Sequence, residues 1–182
     1  MVKIIYLVRH CKADGQKFDA QLTVEGIEQA KVLAEFLSNK QIDTIITSPF
    51  SRAFQSVQPL ADMLQLQLVK DERLGERVLS EHDHPNWLHM LEESFKRLDL
   101  TFPGGESSFQ AMERGSSVIN EIVRSDSKVS VVATHGNLMS LILKNYEPTF
   151  GFKEWQSLTN PDVFKITFLG TDVAIERIWS MS

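Results

Sequence analysis

Arg9 and His10 close an apolar, β-rich run that begins at residue 2. Arg52 follows a second such run, 42–47, by way of Ser48 and Pro49, and His135 and Gly136 follow a third, 129–134. In open α/β sheets, ligands gather just beyond the carboxyl ends of the parallel strands. These strand-end residues are therefore expected to meet at one sheet edge. Two arginines there offer planar, permanently charged forks that bind phosphate bidentately. A neutral imidazole, with an ordinary pKa near 6.5, is nucleophilic near neutrality and can form a covalent intermediate. A second imidazole can donate a hydrogen bond to developing charge, and a carboxylic acid can protonate the leaving oxygen and then activate water. Phosphoryl transfer spreads negative charge over three equatorial oxygens, so positioning and electrostatics do most of the work. Arg9, His10, Arg52 and His135 together suit that task.

The elements that must carry these residues are legible in outline. After a polar loop over 11–21 with an Asp14-Gly15 turn pair, Thr23 offers an N-cap. Ile27, Ala30, Leu33, Ala34 and Leu37 then recur at helical spacing. A second helix is expected through Ala53, Phe54, Val57, Leu60, Ala61 and Leu64, with a kink or break near Gln58 because Pro59 lies inside the pattern. A short strand is expected over 66–69. Leu88, Leu91, Phe95 and Leu98 form one stripe of a short helix, and Pro103-Gly104-Gly105 is a loop. Ser107 with Gln110 forms a capping box, and the helix it starts should bury Phe109, Met112, Ile119 and Ile122. Another helix runs through Leu138, Leu141 and Ile142. Residues 164–168 alternate apolar with polar, Gly170-Thr171-Asp172 reads as a turn, and 173–178 reads as the partner strand. βα units followed by a hairpin imply an α/β fold: three α/β/α layers with a mostly parallel sheet and a C-terminal β-hairpin. A single domain over 1–182 is expected, with 71–106 as a cap-like insertion. The pattern over 146–162 is opaque.

Bulk properties narrow the functions open to the chain. It has 182 residues, 42% hydrophobic and 24% charged, enough for one proper core. The formal net charge of −5 argues against nucleic acid or an acidic membrane as the main partner. An anionic substrate must then be held by a local basic pocket. The one cysteine, Cys11, excludes an intrachain disulfide framework. No signal-peptide pattern opens the chain and no apolar stretch approaches the roughly 20 residues of a membrane span. A cytoplasmic protein is the simplest expectation. Oligomeric state is not legible.

Five separated segments carry a resemblance to a known family: Leu7-Val8-Arg9-His10, the 22–30 segment Leu-Thr-Val-Glu-Gly-Ile-Glu-Gln-Ala, Ser48-Pro49-Phe50-Ser51-Arg52-Ala53, Pro103-Gly104-Gly105-Glu106-Ser107, and Thr134-His135-Gly136. In this order they are similar to the signatures of the histidine phosphatase superfamily, the phosphoglycerate mutase-like group. The resemblance implies that His10 is the phosphorylated nucleophile and that Arg9, Arg52, His135 and Gly136 make the phosphate pocket. It places the general acid at Glu76, in Arg73-Leu74-Gly75-Glu76, although Glu72 and Glu81 lie close by. It puts Gln16 where many members carry a phosphate-contacting asparagine. It also implies catalysis without metal or organic cofactor, on a small phosphorylated substrate. Two residues depart from the family pattern: Cys11 stands where glycine is usual, and Lys12 replaces an often acidic residue. Either the backbone at Cys11 is ordinary or the loop has shifted, since cysteine takes a positive φ at a cost glycine does not incur.

The family reading favours metal-independent phosphomonoester hydrolysis. The short 71–106 segment disfavours a phosphoglycerate mutase, whose members usually carry longer covers. The secreted acid-phosphatase branch is disfavoured because its Arg-His-Gly-x-Arg-x-Pro opening is missing. A protein phosphohistidine phosphatase and a non-catalytic phospholigand-binding module stay open. His82, Asp83, His84 and His89 match no compact metal motif, and Pro85 interrupts them. Glu106 reads as a structural or capping residue, Cys11 as an inert thiol in preference to a redox switch, and Trp87 as either a substrate contact or a helix anchor.

Overall fold

The computed structural model describes residues 1–180. Six strands, β1 (Val2–Arg9), β2 (Thr44–Thr47), β3 (Leu68–Lys70), β4 (Val129–Thr134), β5 (Asp162–Leu169) and β6 (Asp172–Arg177), form one sheet in the order β3-β2-β4-β1-β5-β6. β3, β2, β4 and β1 pair in parallel, β5 runs antiparallel to β1, and β6 is antiparallel to β5. The terminal hairpin and the mostly parallel sheet match the sequence reading. Leu169 pairs with Asp172 across a two-residue turn. Gly170 there takes φ +61°, the conformation that a type II′ turn reserves for glycine at its first central position.

Six helices flank the sheet: α1 (Val24–Ser38), α2 (Ser51–Leu64), α3 (Trp87–Lys96), α4 (Ser108–Arg124), α5 (Gly136–Tyr146) and α6 (Phe152–Gln156). The side-chain period of two sends Ile5 and Leu7 of β1 to one face, and Tyr6 and Val8 to the other. Ile5 and Leu7 join Val132 and Ile166 in the core cluster built on α4 and α5, which Leu91 and Phe95 of α3 extend. Tyr6 and Val8 join Ile45, Val131 and Ala133 under α1 and α2. Both faces of the central strands are thus covered, which is why β1 and β4 read as near-continuous apolar runs.

Local details depart from the sequence expectations in instructive ways. α2 is one helix from Ser51 to Leu64 and is not broken at Gln58. Pro59 removes only its own bond to the preceding turn, and Ala53, Val57, Leu60 and Ala61 hold the helix through their burial. Ile27 is 48% exposed, because the buried stripe of α1 starts instead at Gly26. Phe109 is 52% exposed. It lies about 100° around the helix from Ser108, and the buried stripe runs from Ser108 through Ala111, Met112 and Gly115 to Ile122. α3 ends at Lys96, so Leu98 packs on the core from beyond the helix. β2 starts two residues later than the apolar run, and β3 is shifted towards Lys70. The Ser107–Gln110 capping box is formed, and Thr23 caps α1 by accepting from the Gly26 N–H at 3.0 Å. The 146–162 segment contains α6 and the loop that enters β5. Among the described residues, no helix is long and apolar enough to cross a membrane.

One backbone contact ties α1 to the loop after His10. A Cβ at Gly26 would sit 2.0 Å from the Lys12 carbonyl oxygen, so this approach requires glycine. Gly26→Ala is expected to force helix and loop apart and to destabilise the fold by about 1–3 kcal/mol. Urea denaturation would check this, and an unchanged midpoint would show that the contact yields freely.

Candidate active site

Strand register brings the strand-end residues together. Arg9 of β1 pairs with Thr134 of β4, and the next N–H, that of His10, donates to the Thr134 carbonyl at 3.1 Å. His10 and His135 therefore leave adjacent strands side by side, with ring centroids 5.2 Å apart. On the other flank of β4, Thr47 of β2 pairs with Ala133, and the Ser48 N–H donates to the Ala133 carbonyl at 2.9 Å. That sets Ser48 Oγ 2.8 Å from His135 Nε2.

The hydrogen bonds assign each imidazole a form. His10 Nδ1 lies 2.7 Å from the Cys11 carbonyl oxygen, which can only accept, so Nδ1 carries the proton. Nε2 keeps its lone pair, and Arg52 Nε donates to it at 3.3 Å. Burial, reinforced by the charges of Arg52 and Arg9 and opposed by the Cys11 hydrogen bond, lowers the His10 pKa to about 3. Burial likewise holds His135 well below its ordinary value, with His10, Arg52, Arg114 and Arg9 adding to the shift. Ser48 Oγ accepts from the Phe50 N–H at 3.3 Å, which frees its own hydrogen for His135 Nε2. The remaining proton of His135 then belongs on Nδ1, a buried atom with no hydrogen-bond partner among the described residues.

The arginines are anchored from behind. Arg52 Nη1 donates to the backbone carbonyls of Gln16 and Lys17 at 3.0 and 2.8 Å, and its guanidinium lies over the Phe50 ring, 5.1 Å from the centroid. Arg9 Nη1 donates to the carbonyls of Leu158 and Thr159 at 3.3 and 3.4 Å. A Cβ at Gly136 would meet Arg9 Nε at 2.9 Å, so the absence of a side chain there lets the guanidinium lie against the start of α5. Arg9 Nε and Arg52 Nη2 are buried without a partner among the described residues, as is His135 Nδ1. Unpaired buried donors cost about 1–3 kcal/mol each; Arg9 and Arg52 line one cleft, and such donors there suit an oxyanion.

Glu76 follows a 3₁₀ turn over Glu72–Leu74. Its carboxylate accepts the N–H groups of Arg77 at 2.8 Å, Leu138 at 3.0 Å and Asn137 at 3.2 Å, at the amino end of α5, where the helix dipole favours an anion. Arg114 braces the backbone that carries it, donating to the carbonyls of Arg73 and Gly75 at 2.7 and 2.9 Å. Arg114 in turn pairs with Glu106 at 2.5 Å. Glu106 is accordingly structural, as the sequence indicated. Glu72 and Glu81 do not line the cleft.

A cleft of about 780 Å³ is lined by Arg9, Gln16, Arg52, Glu76, Gly136 and Asn137 and by the apolar Val78, Leu79, Trp87, Leu91 and Trp155. His10 and His135 lie directly behind the arginines, nearly buried. Gln16 contributes its carbonyl to Arg52 and presents an exposed side chain to the cleft. Cys11 is fully buried, its thiol pushed up to about 12 by that burial, and its N–H donates to Ser56 Oγ at 2.8 Å. Among the described residues, the non-glycine residues with positive φ are Gln41 and Gln65, so the backbone at Cys11 is ordinary and the missing glycine has no conformational cost. His82 is exposed, and among the described residues no group of three or more His, Cys, Asp or Glu side chains is placed to hold a metal.

Four further residues shape the site without having been singled out from the sequence. Ser48 orients His135. Asn160 Nδ2 donates to the His10 carbonyl at 2.8 Å. Asp162, fully buried, accepts the Thr159 N–H at 2.9 Å and pairs with both Nε and Nη2 of Arg177, which fixes the loop that receives Arg9. Arg77, beside Glu76, is nearly buried at the cleft. The Ser48-Pro49 and Asn160-Pro161 turn pairs next to strands were the available signals for Ser48, Asn160 and Asp162.

Comparison with known proteins finds relatives for this chain. The model of the histidine phosphatase superfamily (branch 1) matches residues 5–178. Phosphoserine phosphatase 1 of Hydrogenobacter thermophilus is 30% identical over 156 residues, covering 74% of this chain and 71% of that one. The Proteus mirabilis protein named Probable phosphoglycerate mutase GpmB is 26% identical over 157 residues, covering 76% of this chain and 72% of its own. Among solved structures, a mycobacterial glucosyl-3-phosphoglycerate phosphatase superposes with a TM-score of 0.79 at 20% identity, over 100% of both chains.

The imidazole environment has a measurable consequence. A histidine whose folded pKa lies below its unfolded value favours the native state fully above about pH 6.5. That contribution is lost as pH falls from there towards about 3 for His10. In the ligand-free protein, the NMR resonances of His10 and His135 are expected to stay flat between about pH 5 and 8, while thermal stability declines on acidification. A midpoint near 6.5 for either ring would overturn the assignment of neutral, desolvated imidazoles.

Proposed function

The chain belongs to the histidine phosphatase superfamily, and on that ground we propose that it hydrolyses phosphomonoesters of small metabolites through a phosphohistidine on His10. The observation that carries this reading is the state of His10: proton on Nδ1, lone pair on Nε2, and Nε2 beside the Arg52 guanidinium. Arg9, Arg52 and the His135 Nδ1–H grip the phosphoryl oxygens, Gly136 admits the Arg9 guanidinium, and Gln16 borders the phosphate from the loop. Nε2 of His10 attacks phosphorus as the ester P–O bond breaks, and Glu76, having taken up the proton of the bound phosphoester monoanion, passes it to the departing alkoxide. The Cys11 carbonyl, accepting from Nδ1–H, steadies the positive charge on the phosphorylated ring. Glu76, now a carboxylate, takes a proton from water, whose oxygen attacks phosphorus. The P–N bond breaks, inorganic phosphate leaves, and His10 is restored.

In this reading the two arginines supply the positive charge that a metal would otherwise provide, the neutral His135 adds an N–H donor, and the reaction uses no metal or organic cofactor. The chain acts as one domain over 1–182, with 71–106 as the cap that contacts the leaving group. The reading includes a cytoplasmic address, where small phosphorylated metabolites are found, and neither nucleic acid nor membrane as a partner.

Hydrolysis of an aryl phosphate is expected to persist in EDTA and to vanish in His10→Ala. Loss with chelator would overturn the metal-free mechanism, and survival in the variant would remove His10 as nucleophile. In the single-turnover phosphorylation of His10, where the water-activating role does not enter, Glu76→Gln is expected to slow alkyl phosphates by roughly 10²–10⁴-fold and aryl phosphates much less, since a phenolate departs without a proton. Equal losses on both substrates would dismiss Glu76 as the acid.

A further inference from the structure

Glu76 is held in place by backbone alone. Its carboxylate accepts three N–H groups, and all belong to the main chain: Arg77 of its own loop, and Asn137 and Leu138 of α5. Where the carboxyl stands is therefore set by how the 73–76 backbone lies against the start of α5. Every carbonyl oxygen of that backbone is engaged. Thr134 Oγ1 donates to that of Leu74 at 2.7 Å. Arg114, from α4, donates to those of Arg73 at 2.7 Å, Gly75 at 2.9 Å and Glu76 at 3.4 Å.

Arg114 has no donor left over. A guanidinium carries five N–H groups. Three go to those carbonyls, and two grip Glu106 as a bidentate pair, Nε to Oε2 at 3.0 Å and Nη2 to Oε1 at 2.5 Å. Glu106 is itself fixed. Its N–H donates to the Val78 carbonyl at 2.9 Å, and its Oε1 also accepts the Val78 N–H at 3.3 Å. The pair is largely buried, its side chains 24% and 22% exposed, so removing one partner leaves the other's charge poorly compensated. Arg114 stands close enough to the site for its charge to help hold His135 below its ordinary pKa. A lysine there would offer three donors and no planar fork.

We propose that the Glu106–Arg114 pair is the positioning device of the general acid. Glu106 aims the Arg114 guanidinium, and Arg114 holds the 73–76 backbone where the Glu76 carboxyl meets the leaving oxygen. The proposal rests on the phosphatase reading above and gives two residues outside the cleft lining a part in its leaving-group step. Both act through Glu76 and leave the phosphoryl group to the strand-end residues.

The test is single-turnover phosphorylation of His10 by an aryl phosphate and by the fastest ester of a panel of alkyl phosphates. Glu106→Gln keeps an acceptor for the Val78 N–H and removes the charge that aims Arg114. It is expected to slow the alkyl ester by about 10–100-fold and the aryl ester far less. Arg114→Lys is expected to shift the ratio in the same direction by a smaller factor. In a Glu76→Gln background, Glu106→Gln is expected to cost nothing further on the alkyl ester, because the acid it positions is gone. An unchanged alkyl rate in folded Glu106→Gln overturns the proposal. Equal losses on both esters, or losses that add in the double variant, overturn it too, by reducing the pair to a structural part. Should Glu106→Gln fail to fold, Arg114→Lys, alone and with Glu76→Gln, decides by the same comparison. Those outcomes leave the phosphatase reading intact. Wild-type turnover of the aryl ester alone overturns the proposal, since no acid step then exists to be positioned. A wild type inactive on every ester overturns the phosphatase reading, and the proposal falls with it.

Discussion

The parallel pairing of β1 with β4 is the constraint on which the site depends. The bond from the His10 N–H to the Thr134 carbonyl fixes where the two strands end relative to each other. A slip of one residue would turn one histidine to the opposite face, and the imidazole pair would cease to exist. The register is enforced by burial on both faces: Ile5 and Leu7 fit only one helical layer, and Tyr6 and Val8 only the other. Hydrophobic packing far from any polar group therefore determines the distance between two polar ones.

The same architecture solves an electrostatic problem. Arg9 and Arg52 are brought close together out of water, and burial lowers the pKa of each. The sheet edge offsets this with oriented dipoles in place of a full set of opposing charges. Backbone carbonyls of residues 16, 17, 158 and 159 hold the guanidinium groups from behind. Glu76 and Asp162 supply the carboxylate charge that steadies Arg9. Both carboxylates are themselves satisfied by N–H groups or by Arg177, so neither collapses onto the arginines and blocks the remaining donors.

The sequence disclosed those parts of this arrangement that are local. Strand runs ending in Arg9-His10 and in His135-Gly136 announced the sheet edge, and the capping box at Ser107 announced α4. The alternation before Gly170 announced the hairpin. Helix faces were less secure: Ile27 and Phe109 fitted the periodicity yet point to solvent, because Gly26 and Ser108 sit at the true centres of contact. Pro59 looked like a break and is not one, since tertiary burial outweighs one missing rung. Ser48, Asn160, Asp162 and Arg77 were missed for a common reason. Each acts across 29 to 150 residues of sequence or through a neighbour's backbone, and a one-dimensional pattern carries no record of such partners.

The strap over 78–86 lies against the Gly104-Gly105 turn so closely that a Cβ on either glycine would strike Glu81 or Leu79. α3, which follows the strap, attaches through Leu91 and Phe95 to the core cluster beneath α4 and α5. Neither attachment uses a backbone hydrogen bond of the β1–β4 pairing. One wall of the cleft can thus accumulate substitutions while the strand ends stay fixed. That separation lets substitutions in one segment reshape a cleft wall while the strand-end residues keep their places.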